Sequence, residues 1–341
     1  MSISLFYPQR HTDFFARELT DTFSNFLHTQ EFILGEGTKA LEEKLSVYFN
    51  RYAVCVSSGT SALRCALEIF ALDGFTNVVV PSFSAWPTFA AAYSSSLNVQ
   101  LSDFLSDSWT LNSALLAESS SETVYLPVHL FSDQVSCNTT SVIEDASQAF
   151  GFLTASPARF QTLSFYPTKN LGAHGECGAV LCRTAEDASR IRQLRSYGSQ
   201  NQPFDNVRPS ELQCRFLVAK FERVINELRP RKLEIRDRYL ECIQPFSCVT
   251  TQPSLYTCQF PHQIVFKFLT SKQRNLFRHY MHQFGIMTQV HYQLPGDWKQ
   301  YSKSTELQNT LCSVPSDPLL LPAEINTCIN AVERVLALLS G

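Results

Sequence analysis

The chain has no excess of charge of one sign: 28 lysines and arginines stand against 31 aspartates and glutamates, a formal net charge of -3. The basic residues form no long run, so there is no electrostatic footprint for nucleic acid, and a small substrate is the expectation. Long apolar runs are missing too, and no segment is expected to span a bilayer. The opening Met1-Ser-Ile-Ser-Leu-Phe-Tyr-Pro lacks a positive stretch followed by an apolar core, which makes the cytoplasm the expected location. Cysteine is not scarce, but its eleven copies are scattered and odd in number, and no pair has zinc-finger spacing. Reduced, mostly buried thiols are expected, not a disulfide framework, and no metal site. No internal repeat or low-complexity segment is found, and the polar 118–122 (ESSSE) reads as a plain loop.

With 341 residues, 44% of them hydrophobic and 17% charged, the chain can bury a large core. A large domain over residues 1–225 and a smaller C-terminal one over 226–341 is the natural division. Helical spacing of apolar residues predicts helices over Asp13 to Thr29 and Thr38 to Phe49, then over Thr60 to Leu72. Short apolar runs predict strands at Tyr52 to Val56, Asn77 to Pro81, Val99 to Leu101, Thr123 to Val128, Val142 to Glu144, Leu163 to Tyr166 and Ala179 to Cys182. Strands alternating with helical signals argue for an open α/β sheet. Beyond it lie a long helical pattern from Glu211 to Leu240, interrupted at Pro230, strands at Gln263 to Leu269 and Met287 to His291, and helices at Lys272 to Phe284 and Ala323 to Leu339.

Four separated stretches carry the chemistry. The most informative is Ser164-Phe-Tyr-Pro-Thr-Lys169-Asn-Leu-Gly172-Ala-His-Gly175-Glu-Cys177, which places one lysine in a tight turn between two apolar runs. Such a lysine can carry a Schiff base with an aldehyde cofactor, or be a solvated loop charge; Gly172 and Gly175 are expected to let the backbone bend sharply after it. Cys177 reads as a packed small residue or a reactive thiol. Ser57-Ser-Gly59-Thr60-Ser-Ala-Leu63 lies between a strand and a helix, where free N–H groups suit a phosphate or a side-chain cap closes the helix. Val142-Ile-Glu-Asp145-Ala-Ser-Gln148 ends an apolar strand in acids. Asp145 can hold a pyridine nitrogen protonated or cap a helix, and Gln148 can hydrogen-bond a cofactor ring oxygen or likewise cap. Phe204-Asp-Asn206-Val-Arg-Pro-Ser210-Glu211-Leu-Gln213 opens the long helix, with Ser210 as a candidate cap.

Taken together and in this order, the motifs resemble those of the DegT/DnrJ/StrS sugar aminotransferases, over roughly residues 30 to 295. The resemblance implies a fold-type I transferase, a large α/β/α domain with a mainly parallel mixed sheet and a smaller C-terminal α/β domain, using pyridoxal 5'-phosphate. It implies that Lys169 forms the Schiff base and shuttles protons, Asp145 pairs with the pyridinium nitrogen, Gln148 lies near the ring oxygen, and Gly59, Thr60 and Ser164 bind the phosphate. Asn206 would reach the phosphate of a neighbouring subunit's cofactor, implying a homodimer with sites at the interface. Gly285-Ile-Met-Thr-Gln-Val-His291-Tyr292 resembles a segment near the sugar nucleotide, with a packed strand histidine as the other reading. The lysine turn is most similar to the branch acting on 3-keto-6-deoxyhexose nucleotides, and the resemblance implies the dTDP form, with glutamate as amino donor.

The match departs from the family at several points. The family's aromatic ring stacked on the cofactor falls at Ala85, one residue before Trp86, which either takes the stacking role or packs in the core. The segment Ser132 to Ser141 is too short for the usual helix, Ser132 replaces a glycine, the loop from Phe152 to Arg159 is short, and Leu294-Pro-Gly-Asp-Trp298 replaces a segment with a histidine. Other readings are therefore a cyclitol or other keto-sugar aminotransferase, a dehydratase, or a non-catalytic binding descendant; the dehydratase branch replaces the lysine, which argues against it.

Overall fold

The computed structural model describes residues 2–104, 109–111, 113–117, 120–151, 156–294, 298 and 300–340. The expected loop at 118–122 falls partly outside the described residues, as do 152–155 of the short loop and 295–297 of the segment before Trp298. Helices α1 (Pro8–Phe14), α2 (Ala16–Leu27) and α3 (Glu36–Phe49) lead into β1 (Tyr52–Val56). The sequence predicts one helix over Asp13 to Thr29; the chain instead enters earlier, with proline in the first turn of α1, and bends at Phe15, whose ring is buried in the core.

Then come α4 (Gly59–Leu72), β2 (Asn77–Pro81), α5 (Trp86–Tyr93), β3 (Asn98–Ser102), β4 (Thr123–Tyr125), β5 (Ile143–Asp145), β6 (Phe160–Ser164), β7 (Gly178–Cys182) and α6 (Ala185–Arg195). Hydrogen bonding gives one ladder in the order β1-β7-β6-β5 and another in the order β3-β2-β4. Parallel bridges Tyr125–Val142 and Val128–Asp145 join them into one sheet in which only β7 runs antiparallel to its neighbours. Strands buried on both faces read as unbroken apolar runs, which is why β1 and β2 keep their expected bounds. The β6 strand begins three residues earlier than its apolar pattern, because Phe160 to Thr162 pair with β7. Ser164 thus closes the strand, and Lys169 falls in the turn beyond it.

A hairpin of β8 (Ser196–Ser199) and β9 (Gln202–Asn206) precedes α7 (Glu211–Arg223), whose N-cap Ser210 accepts a hydrogen bond from the Gln213 N–H. A π-helical turn, Val224–Leu228, links it to α8 (Arg229–Ile243). Pro230 sits in the first turn of α8, and the wider turn ahead of it takes up the missing i to i−4 bond. The expected division near residue 225 falls inside this helical span. A second sheet, in the order β10 (Val249–Thr251), β11 (Ile264–Phe268), β12 (Leu311–Val314), packs with α8, α9 (Ser271–Gln283) and α11 (Pro322–Ser340); α10 (Ser302–Thr310) leads into β12. The strand expected over Met287 to His291 does not form: only single bridges, Gln289–Ser313 and Ile286–Ile3, tie this stretch down. Among the described residues no helix is long and apolar enough to cross a membrane.

Candidate active site

The site begins with the turn after β6. It is closed by backbone bonds from Lys169 N–H to the Tyr166 carbonyl (2.8 Å) and from Ala173 N–H to that of Phe165 (2.7 Å). The chain bends at Gly175 as expected, although neither Gly172 nor Gly175 adopts a left-handed conformation. Gly172 is required for a different reason: a Cβ there would lie 2.2 Å from the Pro167 carbonyl oxygen. The residues flanking the lysine are clamped from the lead-in to β11. His262 Nε2 donates to the Thr168 carbonyl at 3.2 Å, and Asn170 Nδ2 donates to that of Phe260 at 2.8 Å. From the other side the Lys220 ammonium donates to the Gly172 carbonyl, and Gln213 Oε1 accepts from the His174 N–H at 2.8 Å. Cys177 is buried, and a neighbouring thiol together with burial pushes its own thiol well above the ordinary range, the behaviour of a packed residue.

So held, Lys169 has an unusual amine. Burial lowers its ammonium to about 8, against the opposing pull of the Asp145 charge. The neutral nucleophilic form is therefore accessible near neutrality, as a Schiff-base lysine needs.

Lys169 lies on the wall between two cavities. The first, of about 300 Å³, is lined by Ser58, Gly59 and Thr60 at the start of α4, by Asp145 at the end of β5 with Ser147 and Gln148 beyond it, and by Ser164. The first intrahelical bond of α4 is from Ala62 N–H to the Ser58 carbonyl, and Ser58 Oγ caps the Ser61 N–H; among the described residues no acceptor takes the Gly59 and Thr60 N–H groups, which can meet an anion. Ser164 packs directly on Gly59: its Cβ is 2.7 Å from the point a Gly59 Cβ would occupy. Ser58 takes the capping role, so a cap and an anion cradle coexist. Asp145 is buried and oriented, accepting from Thr88 Oγ1 at 2.8 Å and from the Ser147 N–H at 3.1 Å.

The second cavity, of about 350 Å³, is bounded by Lys169, Gln148, His262, His291, Tyr292 and Lys232. Gln148 faces both cavities with its amide already engaged: Oε1 accepts from the Phe131 N–H at 2.7 Å and Nε2 donates to the Tyr292 hydroxyl at 2.8 Å. The Tyr292 ring stacks on Phe131 with centroids 5.9 Å apart, and burial pushes its hydroxyl to about 12. His291 is buried with Nε2 2.9 Å from Ser313 Oγ, and burial followed by the nearby Lys169 charge lowers it to about 4, so its ring is neutral.

Two expected residues are not brought to either cavity of this chain. Trp86 is 60% exposed at the start of α5 and packs near Phe89, while Ala85 before it lines both cavities. Its place as the first residue of the helix, after an extended N-cap, turns it away from the wall. Asn206 is exposed at the end of β9, its side-chain oxygen accepting from Arg208. Conversely, Thr88, Ser147 and His262 went unnoticed in the sequence. Thr88 lies two residues after Trp86 with nothing in the pattern to single it out, and a Pro-His-Gln before an apolar strand was the only mark of His262.

A desolvated lysine amine beside free helix N–H groups and an oriented buried carboxylate defines a site for a phosphorylated aldehyde cofactor that activates amines. The chain belongs to the DegT/DnrJ/EryC1/StrS aminotransferase family, whose model matches residues 15–340, and is thus a pyridoxal-phosphate-dependent aminotransferase. It is 28% identical over 250 residues to a dTDP-3-amino-3,4,6-trideoxy-alpha-D-glucose transaminase of Micromonospora megalomicea subsp. nigra, covering 66% of each chain. It is 27% identical to a dTDP-3-amino-3,6-dideoxy-alpha-D-galactopyranose transaminase of Aneurinibacillus thermoaerophilus, over 94% of this chain and 96% of that one. The fold matches the crystal structure of S. venezuelae DesV with a TM-score of 0.86 at 21% identity, over 98% of both chains. The residues fit the cofactor: an N–H cradle with a serine for a phosphate, a carboxylate for a ring nitrogen, and an amine for an aldehyde.

Proposed function

We propose that the protein transfers an amino group from glutamate to a keto group of a nucleotide-linked 3-keto-6-deoxyhexose, in the dTDP form. The observation that carries this reading is the position of Lys169, whose amine meets the cavity with the anion cradle on one side and the larger polar cavity on the other. The relatives' dTDP-amino-sugar specificities support the choice of acceptor.

Pyridoxal phosphate, when bound, supplies the carbonyl that takes up the amino group and the electron sink that makes the adjacent carbon acidic. Gly59, Thr60 and Ser164 bind its phosphate, Asp145 keeps its pyridine nitrogen protonated, and Gln148, fixed by Phe131 and Tyr292, borders the ring. Lys169 Nζ takes the proton from the donor's α carbon and, in the second half, returns a proton to the former keto carbon of the sugar. His291 and Tyr292 line the sugar's cavity as neutral groups that hydrogen-bond without charge. The exposed Asn206 serves a partner subunit's cofactor phosphate in a homodimer. The cofactor domain is residues 1–225, and 226–341 close over the substrate.

The visible spectrum of protein loaded with pyridoxal phosphate tests this. A band that is lost in Lys169→Ala and bleaches with glutamate in the wild type is the expected result. Transamination retained by Lys169→Ala would overturn the reading, and a wild-type band unmoved by every amino donor would leave a binding protein instead.

A further inference from the structure

We propose that Lys232, with Ser316, forms a subsite in the second cavity for an anionic group of the substrate. That group is a carboxylate of the amino donor or a phosphate of the acceptor. The inference rests on the aminotransferase reading above and deepens it.

The side chain of Lys232 comes from the first turns of α8 and is 5% exposed, yet it borders the cavity that also exposes Lys169. Its Nζ donates to the Ser316 carbonyl and to Ser316 Oγ at 3.0 Å. An ammonium has three N–H donors. Among the described residues no carboxylate forms an ion pair with this one. The nearby acid, Asp317, is already committed. Its Oδ1 accepts from His11 Nε2 at 3.0 Å and from the Leu319 N–H at 2.8 Å, and its Oδ2 accepts from the Tyr7 N–H at 3.0 Å. The two other histidines on the cavity wall, His262 and His291, are held neutral by burial.

A buried ammonium that feels the Asp317 charge but is paired with no carboxylate is unfavourable, and an anion arriving in the cavity supplies a direct counter-charge. Both substrates of the proposed reaction carry such a group and both must reach Lys169. Lys232 therefore fixes the anionic end of a substrate while the reacting end meets Lys169.

The test is calorimetric titration of the pyridoxal-phosphate-loaded protein with two probes that cannot react: glutarate, a dicarboxylate without an amine, and thymidine diphosphate. Lys232→Met should weaken one of them by about tenfold or more, as expected for loss of a desolvated charge pair, with Lys232→Arg recovering most of the affinity. Weakened glutarate assigns the subsite to the donor carboxylate, and weakened thymidine diphosphate assigns it to the acceptor phosphate. Equal binding of both probes to wild type and Lys232→Met overturns the proposal. Should Lys232→Met not fold, Ser316→Ala decides: it should change the affinity for the same probe severalfold, and unchanged binding overturns the proposal. A wild type with no lysine-dependent visible band fails the aminotransferase reading, whereas a normal band with probe binding indifferent to these variants fails the subsite alone.

Discussion

Asp145 shows how a single residue is made ready for its task. A carboxylate at a buried strand end would be free to rotate, but Thr88 Oγ1 and the Ser147 N–H hold one oxygen each. Thr88 in turn lies 3.0 Å from Ser84 Oγ, so a short hydroxyl chain backs the acid. Thr88→Val keeps the side chain's shape and removes the donor. It should cost about 1–3 kcal/mol of stability, because a buried oxygen loses a partner, and should weaken retention of pyridoxal phosphate. Thr88→Ser should restore both. Chemical denaturation and cofactor titration of the two variants check this, and a Thr88→Val protein as stable as wild type would show that water replaces the hydroxyl. Asp145 was legible in the sequence because an acid ending an apolar run is conspicuous. Thr88 was not, since it lies 57 residues away and meets Asp145 only through the crossover from β2 into α5.

At the scale of elements, the fourth motif turns out to be partly architectural. Glu211, the first residue of α7, extends its carboxylate to the N-terminus of α3. There it accepts from the N–H groups of Gly35 (3.0 Å), Gly37 (2.6 Å) and Thr38 (3.0 Å) and from Thr38 Oγ1 (2.7 Å). One charge thus serves the starts of two helices. Burial alone would raise its pKa, but the Thr38 and Gly37 donors outweigh this and hold the carboxyl below the usual range. Glu211→Gln should lower stability at pH 7 by about 2–3 kcal/mol. Because the folded-state value is depressed, this contribution is complete above the ordinary carboxylate range and is lost as the pH falls through the depressed value. The gap between wild type and variant in urea unfolding should therefore close in acid, and a gap independent of pH would show that packing and not charge is responsible. No sequence pattern announces such a contact across the chain. Among the elements that escaped the sequence, α10 is largely polar and β8 and β9 bury neither face, so neither alternation nor helical spacing marks them, whereas the short β12 escaped although all four of its residues are buried.

Across the whole molecule, the two sheets meet beside the lysine turn, through residues 131–133. The Phe131 carbonyl accepts from Gln252 Nε2 at 3.1 Å, and Asp133 Oδ1 accepts from Ser254 Oγ at 2.5 Å. Between them, Ser132 Oγ donates to the Gln148 carbonyl at 2.5 Å and accepts from the His262 N–H at 2.8 Å. His262 is the residue that holds Thr168 next to Lys169, so one hydroxyl links the Gln148 loop to the clamp on the lysine turn. Ser132 was visible in the sequence as a departure from the family's glycine, but its meaning was not, because the partners come from both sheets. Its backbone is left-handed, with φ of 70°, and Phe131 before it has φ of 53°. A side chain in this conformation costs about 1–2 kcal/mol relative to glycine, the residue that the family resemblance leads one to expect here. Here the hydroxyl's two hydrogen bonds offset that cost. Ser132→Ala keeps the unfavourable backbone and loses both bonds, so it should destabilise by about 1–3 kcal/mol. Ser132→Gly loses the bonds and relieves the backbone, so it should be less damaging than Ser132→Ala by up to about 1 kcal/mol, the relief being partly cancelled by the freer unfolded chain. Both should loosen the clamp and weaken the lysine-dependent visible band. Denaturation midpoints rank the three proteins; a glycine variant less stable than the alanine one would show that the backbone at 132 is not under strain, and an alanine variant as stable as wild type would show that the two hydrogen bonds contribute nothing.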